Sequence, residues 1–152
     1  MQTRRETLKQ SATVAGLLAS TGLFPRIVQA AWNKTAFDAK SVADVAKAFG
    51  ASAPVESKDV VLTGPDIAEN GAVVPLAVST TLPGVKYLLV LVEKNPNTLV
   101  AKFDVGPDVE ANFSTRAKMG QSSDVYAVAI TADGKALFAK KEVKVTLGGC
   151  GG

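Results

Sequence analysis

Histidine is absent from the 152 residues, and cysteine occurs once. The first absence removes the Cys-His pair of ordinary thiol catalysis and every histidine-ligated metal. The second rules out an intrachain disulfide, so the thiol of Cys150 is free, joined to another molecule or chemically loaded. The chain also lacks a Cys-x-x-Cys-His haem site, a nucleotide-binding glycine loop and a metal-ligand cluster. No resident cofactor or metal is therefore expected, and the chain is read as a protein acted upon by enzymes.

A membrane span is not expected either. The apolar run from Ser11 to Phe24 is about 14 residues, short of the roughly 20 that cross a bilayer as a helix. It follows Thr3-Arg4-Arg5-Glu6-Thr7-Leu8-Lys9 and leads to Val28-Gln29-Ala30, where small or apolar residues at 28 and 30 fit an A-x-A-like cleavage site. Residues 1–30 read as a signal peptide whose paired arginines point to twin-arginine export, with cleavage near Ala30 and a periplasmic destination.

Excess charge disappears with that segment. It holds four of the 17 basic residues and one of the 14 acidic ones, leaving 13 of each. A balanced surface gives no electrostatic case for nucleic acid or an anionic membrane. The remaining residues suit one domain, and a chain that is 47% hydrophobic has enough apolar material for one core.

Within 31–147, the first element is a helix expected over Asn33 to Phe49. Val42, Val45, Ala46 and Phe49 share one face, Ser41 to Asp44 has capping-box spacing, and Gly50 stops the helix. From Asp59 the pattern becomes strands separated by turns: Val60–Leu62, Ala72–Thr80, Lys86–Val92, Thr98–Val105, Glu110–Met119, Asp124–Thr131 and Lys135–Leu147. Pro75 cannot donate to a ladder and belongs at an edge or bulge. The unbroken run Tyr87-Leu88-Leu89-Val90-Leu91-Val92 predicts a strand buried on both faces, either by a second sheet and the helix or by a partner chain. Intrachain core is the preferred reading. Asp133-Gly134 marks a tight turn. About seven short strands make the fold class all-β: an immunoglobulin-like antiparallel β-sandwich with an N-terminal helix.

The last strand runs into Gly148-Gly149-Cys150-Gly151-Gly152. Glycine's wide φ/ψ range makes residues 148–152 a thin, flexible arm that can carry the Cys150 sulfur into another protein's active site. Lys140, Lys141 and Lys144 favour its thiolate, whereas the C-terminal carboxylate opposes it. Arg116 and Lys118 lie on the polar face of their strand. They are read as a solvated face with no site role.

The ending Val143 to Gly152 resembles the carboxy terminus of the SoxY family. Further matches are Ile67-Ala68-Glu69-Asn70-Gly71-Ala72 with Val74-Pro75, Ser114-Thr115-Arg116 with Lys118-Met119, and Asp133-Gly134-Lys135. The resemblance implies a periplasmic sulfur carrier in thiosulfate oxidation, with Cys150 as the attachment site and Gly148, Gly149, Gly151 and Gly152 as its arm. It implies a heterodimer with a SoxZ-like sandwich subunit. It also implies transient partners: the c-type cytochrome SoxXA, which joins thiosulfate to the cysteine oxidatively; the hydrolase SoxB, which releases sulfate; and the sulfane dehydrogenase SoxCD. The alternative is a secreted structural sandwich whose tail cysteine makes an interchain disulfide. A C-terminal thiocarboxylate carrier of the ubiquitin-like kind also ends in Gly-Gly, but the export signal argues against it.

Overall fold

The computed structural model describes residues 33–146. The expected signal peptide and the arm with Cys150 lie outside the described residues. Where one helix is expected, two short ones form, α1 (Lys34–Asp38) and α2 (Val42–Ala48). The break follows from side-chain competition for backbone donors. Ala39 turns extended, and the extended Ser41 caps α2 by accepting from Asp44 N at 3.1 Å, as its spacing predicts. Asn33 caps α1 through Ala36 N and donates to Ala48 O at 2.9 Å, which ties the two helices together. Gly50 follows with φ of +73°, the left-handed conformation that glycine adopts at a helix stop without a Cβ clash.

Nine strands follow among the described residues. They are β1 (Val55–Glu56), β2 (Val60–Thr63), β3 (Ile67–Ala68), β4 (Val74–Thr80), β5 (Val85–Val92), β6 (Leu99–Asp104), β7 (Asn112–Ala117), β8 (Ser123–Thr131) and β9 (Ala136–Val145). The larger sheet has the order β1-β9-β8-β5-β6, with β3 also on β9, and the smaller one the order β2-β4-β7. The fold is an all-β sandwich, as expected, and its long strands pair antiparallel. The two-residue strands β1 and β3 are additions to the seven anticipated, and both pair parallel with β9. Two residues are too few for hydrophobic alternation to register, so neither strand leaves a sequence signal.

The run at 87–92 is the middle of the larger sheet, between β8 and β6. Leu88, Val90 and Val92 point into the core shared with the smaller sheet, alongside Val74, Leu76, Val78, Val125 and Val143. Leu89 and Leu91 point the other way, into a second core with Val128, Ile130 and the helix residues Ala36, Val45 and Ala46. Each such side chain contributes about 1.5–3 kcal/mol by leaving water, and both faces are covered by this chain itself. The helices thus fill the outer face of the larger sheet. Among the described residues, nothing comparable covers the outer face of the smaller sheet.

Pro75 pairs with Arg116 of β7, but β2 ends at Thr63 opposite Ala77. Pro75 therefore lies where β4 is locally an edge, although β4 is the central strand of its sheet.

Candidate functional site

Cys150 and its flanking glycines lie outside the described residues; what the structure describes is the point from which they depart. The backbone of β9 is held on both edges up to its end. On one edge, Lys144 N donates to Asp66 O at 3.0 Å and Thr146 N donates to Ala68 O at 3.1 Å. These bonds are the β3 pairing, and they explain why a two-residue strand exists there. On the other edge, β8 begins at Ser123 opposite Val143. One side chain prolongs that ladder: Ser122 Oγ accepts from Val145 N at 2.9 Å.

Gly71 completes the clasp. A methyl placed on it would lie 2.5 Å from Met119 O and 2.7 Å from Val145 Cγ1, so only glycine lets the 70–73 turn close on the strand. The same residue accepts a hydrogen bond from Met119 N at 2.7 Å, and Asn70 Oδ1 shapes the turn by accepting from Ala72 N at 2.9 Å. The quoted matches at 67–72 and 118–119 thus converge on the end of β9.

Two further loops meet beside this point. Asn95 Nδ2 donates to Lys118 O at 2.7 Å, and Lys94 N donates to the buried Ser123 Oγ at 3.0 Å. Gln121 Nε2 reaches Lys94 O at 3.4 Å. The β5–β6 and β7–β8 connections are thereby locked to one another.

The lysines considered for the thiol have different surroundings. Lys141 Nζ donates to Gly64 O at 2.6 Å and pairs with Asp66 at 2.9 Å. That hydrogen bond and charge hold the Asp66 carboxyl below its ordinary pKa. Lys140 faces Asp124 at 3.7 Å. Lys144 is exposed and has no ion pair among the described residues. Arg116 and Lys118 are exposed at the end of β7 and just beyond it, as the alternation predicts.

An open groove of about 660 Å³ lies where the end of β2 and the two residues after it meet β4 and β7. Its walls are Thr63 to Pro65, Pro75 to Ala77 and Ser114 to Arg116, with Arg116 the one charged residue among them. Among the described residues no group of three or more acidic, cysteine or histidine side chains could hold a metal ion, and no helix is long and apolar enough to cross a membrane.

Fold and root together define a class: an all-β sandwich whose final strand is clasped four residues before the chain's one thiol. The model of the family described as SoxY, sulfur oxidation protein SoxY, matches residues 45–150. The chain belongs to the SoxY family. It is similar to the solved structure of the sulfur carrier protein SoxY from Chlorobium limicola f thiosulfatophilum, with 36% identity and a TM-score of 0.61 over 68% of this chain and 93% of that one. A variant of the superoxide reductase (neelaredoxin) from Ignicoccus hospitalis shares the fold at 17% identity and a TM-score of 0.51, over 57% of this chain and 79% of that one. No curated protein matches the chain.

Proposed function

We propose that this protein is a covalent sulfur carrier in thiosulfate oxidation, exported to the periplasm, with its intermediates held on the Cys150 thiol. The observation that carries the reading is the reach of the family match, which runs from residue 45 to Cys150 itself. The clasp supports it, because a carrier needs a fixed origin for its arm. Four residues beyond Thr146 can extend at most roughly 14 Å, at 3.3–3.6 Å each.

Atoms and electrons balance at each step. The Cys150 thiolate and the sulfane sulfur of thiosulfate form one S–S bond, giving the cysteine S-thiosulfonate and two electrons. The c-type cytochrome SoxXA accepts the electrons, and the thiol proton goes to water. SoxB then adds water across the S–S bond to the sulfonate, releasing sulfate and a proton and leaving a persulfide. SoxCD oxidises the outer sulfur of that persulfide to a cysteine S-sulfonate: three waters supply the oxygens, seven protons leave, and six electrons pass to a cytochrome acceptor. The SoxZ-like subunit completes the carrier as a heterodimer. The arm glycines Gly148, Gly149, Gly151 and Gly152 leave no side chain beside the sulfur to obstruct entry into these enzymes.

Intact-mass measurement tests the reading. This chain, purified with its SoxZ-like subunit and incubated with thiosulfate and oxidised SoxXA, should gain the mass of one thiosulfate group at Cys150, and Cys150→Ser should gain none. An unchanged wild-type mass, or a disulfide-linked dimer as the sole product, would overturn it.

A further inference from the structure

Resting on that reading, the position of the arm's root also marks where the partner enzymes dock. With the backbone held through Thr146, the sulfur cannot travel more than roughly 15 Å from it. An enzyme that reacts with the sulfur must bring its entrance within that distance. The surface around the entrance then lies against the residues that surround Thr146.

Three unpaired cations lie on the segments that meet beside the end of β9. Lys118 follows β7 and is tied through its carbonyl to Asn95; Lys94 is the neighbour of Asn95 and is bonded through its amide to Ser123. Met119, next to Lys118, packs its carbonyl near Gly71, which in turn abuts Val145. Arg116 precedes Lys118 by two residues, opposite Pro75 near the start of β4. All three are exposed, and none has an ion pair among the described residues. Of the acids nearby, Asp66 and Asp124 face Lys141 and Lys140; the exposed Glu93 lies close enough to Tyr126 to help raise its pKa, and the exposed Glu69 follows β3 on the opposite edge of β9. Glu142, exposed beside the unpaired Lys144, lies further back along β9.

We propose that Lys94, Arg116 and Lys118 form a docking patch for carboxylates on the rim of the partner enzymes' active-site entrances. A carrier must meet and leave each enzyme in turn. Exposed charge pairs serve that need, because they accelerate and orient encounter while adding little to residence time. The cargo is already covalently attached and needs no exposed cations for its capture.

Steady-state loading of the purified full mature chain, in complex with its SoxZ-like subunit, by SoxXA and thiosulfate tests this, with the carrier as the varied substrate and salt as a second variable. Lys94→Glu/Arg116→Glu/Lys118→Glu should raise KM for the carrier about tenfold with kcat within twofold, and should flatten the fall of kcat/KM with salt. Lys47→Glu/Lys58→Glu/Lys86→Glu carries the same change in net charge away from the root and should leave KM unchanged. Circular dichroism of both variants should match the wild type. Equal KM increases in both variants would mean a field of the whole protein and overturn the patch, as would no increase in either. An unchanged KM with faster decay of the preloaded thiosulfonate would assign the cations to the cargo and also overturn it. Failure of the wild type to load removes the carrier reading and this one with it; normal loading with KM unaltered in the root variant removes this one alone.

Discussion

The hydroxyl of Ser122, one residue before β8, accepts the backbone N–H of Val145 at 2.9 Å, two residues beyond the last register pair on β9. A side chain there substitutes for a strand that has already ended. Ser122→Ala leaves Val145 N without that acceptor at a half-buried position, at a cost of about 1 kcal/mol. The expected signature is local: amide exchange at Val145 and Thr146 accelerates several-fold while exchange in β5 is unchanged. Ser122→Thr keeps the oxygen and should restore protection. Equal exchange in wild type and Ser122→Ala would show that the hydroxyl does not hold the strand.

Gly71 and Gly120 lie on two turns near the root, and the same substitution should have opposite outcomes at them. Alanine at 71 meets a backbone oxygen and a side chain inside contact distance, whereas alanine at 120 meets nothing within 4 Å. Gly71→Ala should destabilise by about 1–3 kcal/mol, the usual cost of forcing atoms into a packed site. Gly120→Ala should be neutral or slightly stabilising through the unfolded chain. Urea unfolding of both variants decides it; an equal midpoint for both would contradict the packing at Gly71.

Much of this architecture is legible from residue pattern, and the limits have physical causes. The alternation in 111–118 fixes which side chains of β7 face the core, and the apolar run at 87–92 identifies the strand covered on both sides. Ser41 announces its own cap. What periodicity does not reveal is pairing between segments distant in sequence. β3 is two residues long and exists because the end of β9 offers it donors. Ser122 reads as an ordinary polar loop residue, and its role comes from a partner 23 positions away. The break at Ala39 is equally hidden: the apolar face of Val42, Val45, Ala46 and Phe49 belongs to the second helix alone, and the first, at five residues, is too short to show a period of its own. The thiol and its glycines stand out by composition alone, whereas the clasp that anchors them needed three-dimensional register. Arg116 and Lys118 read as a solvated face, and both are exposed; the contact between the Lys118 carbonyl and the loop that carries Lys94 comes from Asn95, 23 positions away, which no pattern announces.

The β8–β9 turn carries the clearest pH dependence. Asp133 is pulled from its ordinary 3.8 to about 2, first by the Lys135 ammonium at 2.7 Å and then by the Thr131 hydroxyl. Gly134 closes the turn with φ of +81°. A carboxylate whose folded pKa is depressed adds stability that is full above its unfolded value and lost as pH falls through the folded one. The contribution is therefore present at pH 5 and decays between about pH 4 and 2. The difference in Tm between wild type and Asp133→Asn should shrink across that window, and it should be small and salt-sensitive because the pair is exposed. A carbon-detected titration placing the Asp133 carboxyl near its ordinary value would refute the assignment.

Arm length separates reach from chemistry, because the root is fixed while the thiol is not altered. Deleting Gly148 and Gly149 shortens the maximum span from Thr146 to Cys150 by roughly 7 Å, and leaves Ser122, Gly71 and the β3 pairing intact. Thermal stability should not change, since no described contact is removed. Alkylation of the thiol by a small reagent should proceed at about the wild-type rate, because that reaction needs no channel. Enzymatic loading from thiosulfate should fall at least tenfold, since about 7 Å far exceeds the placement error that already costs a reaction about 100-fold. Replacing the same two residues with Ala-Ala keeps the length but restricts the backbone, and should lie between the two. If the deletion loads as fast as wild type, the root is not the origin of the arm. Loss of alkylation together with loading would instead mean that the deletion had buried the sulfur.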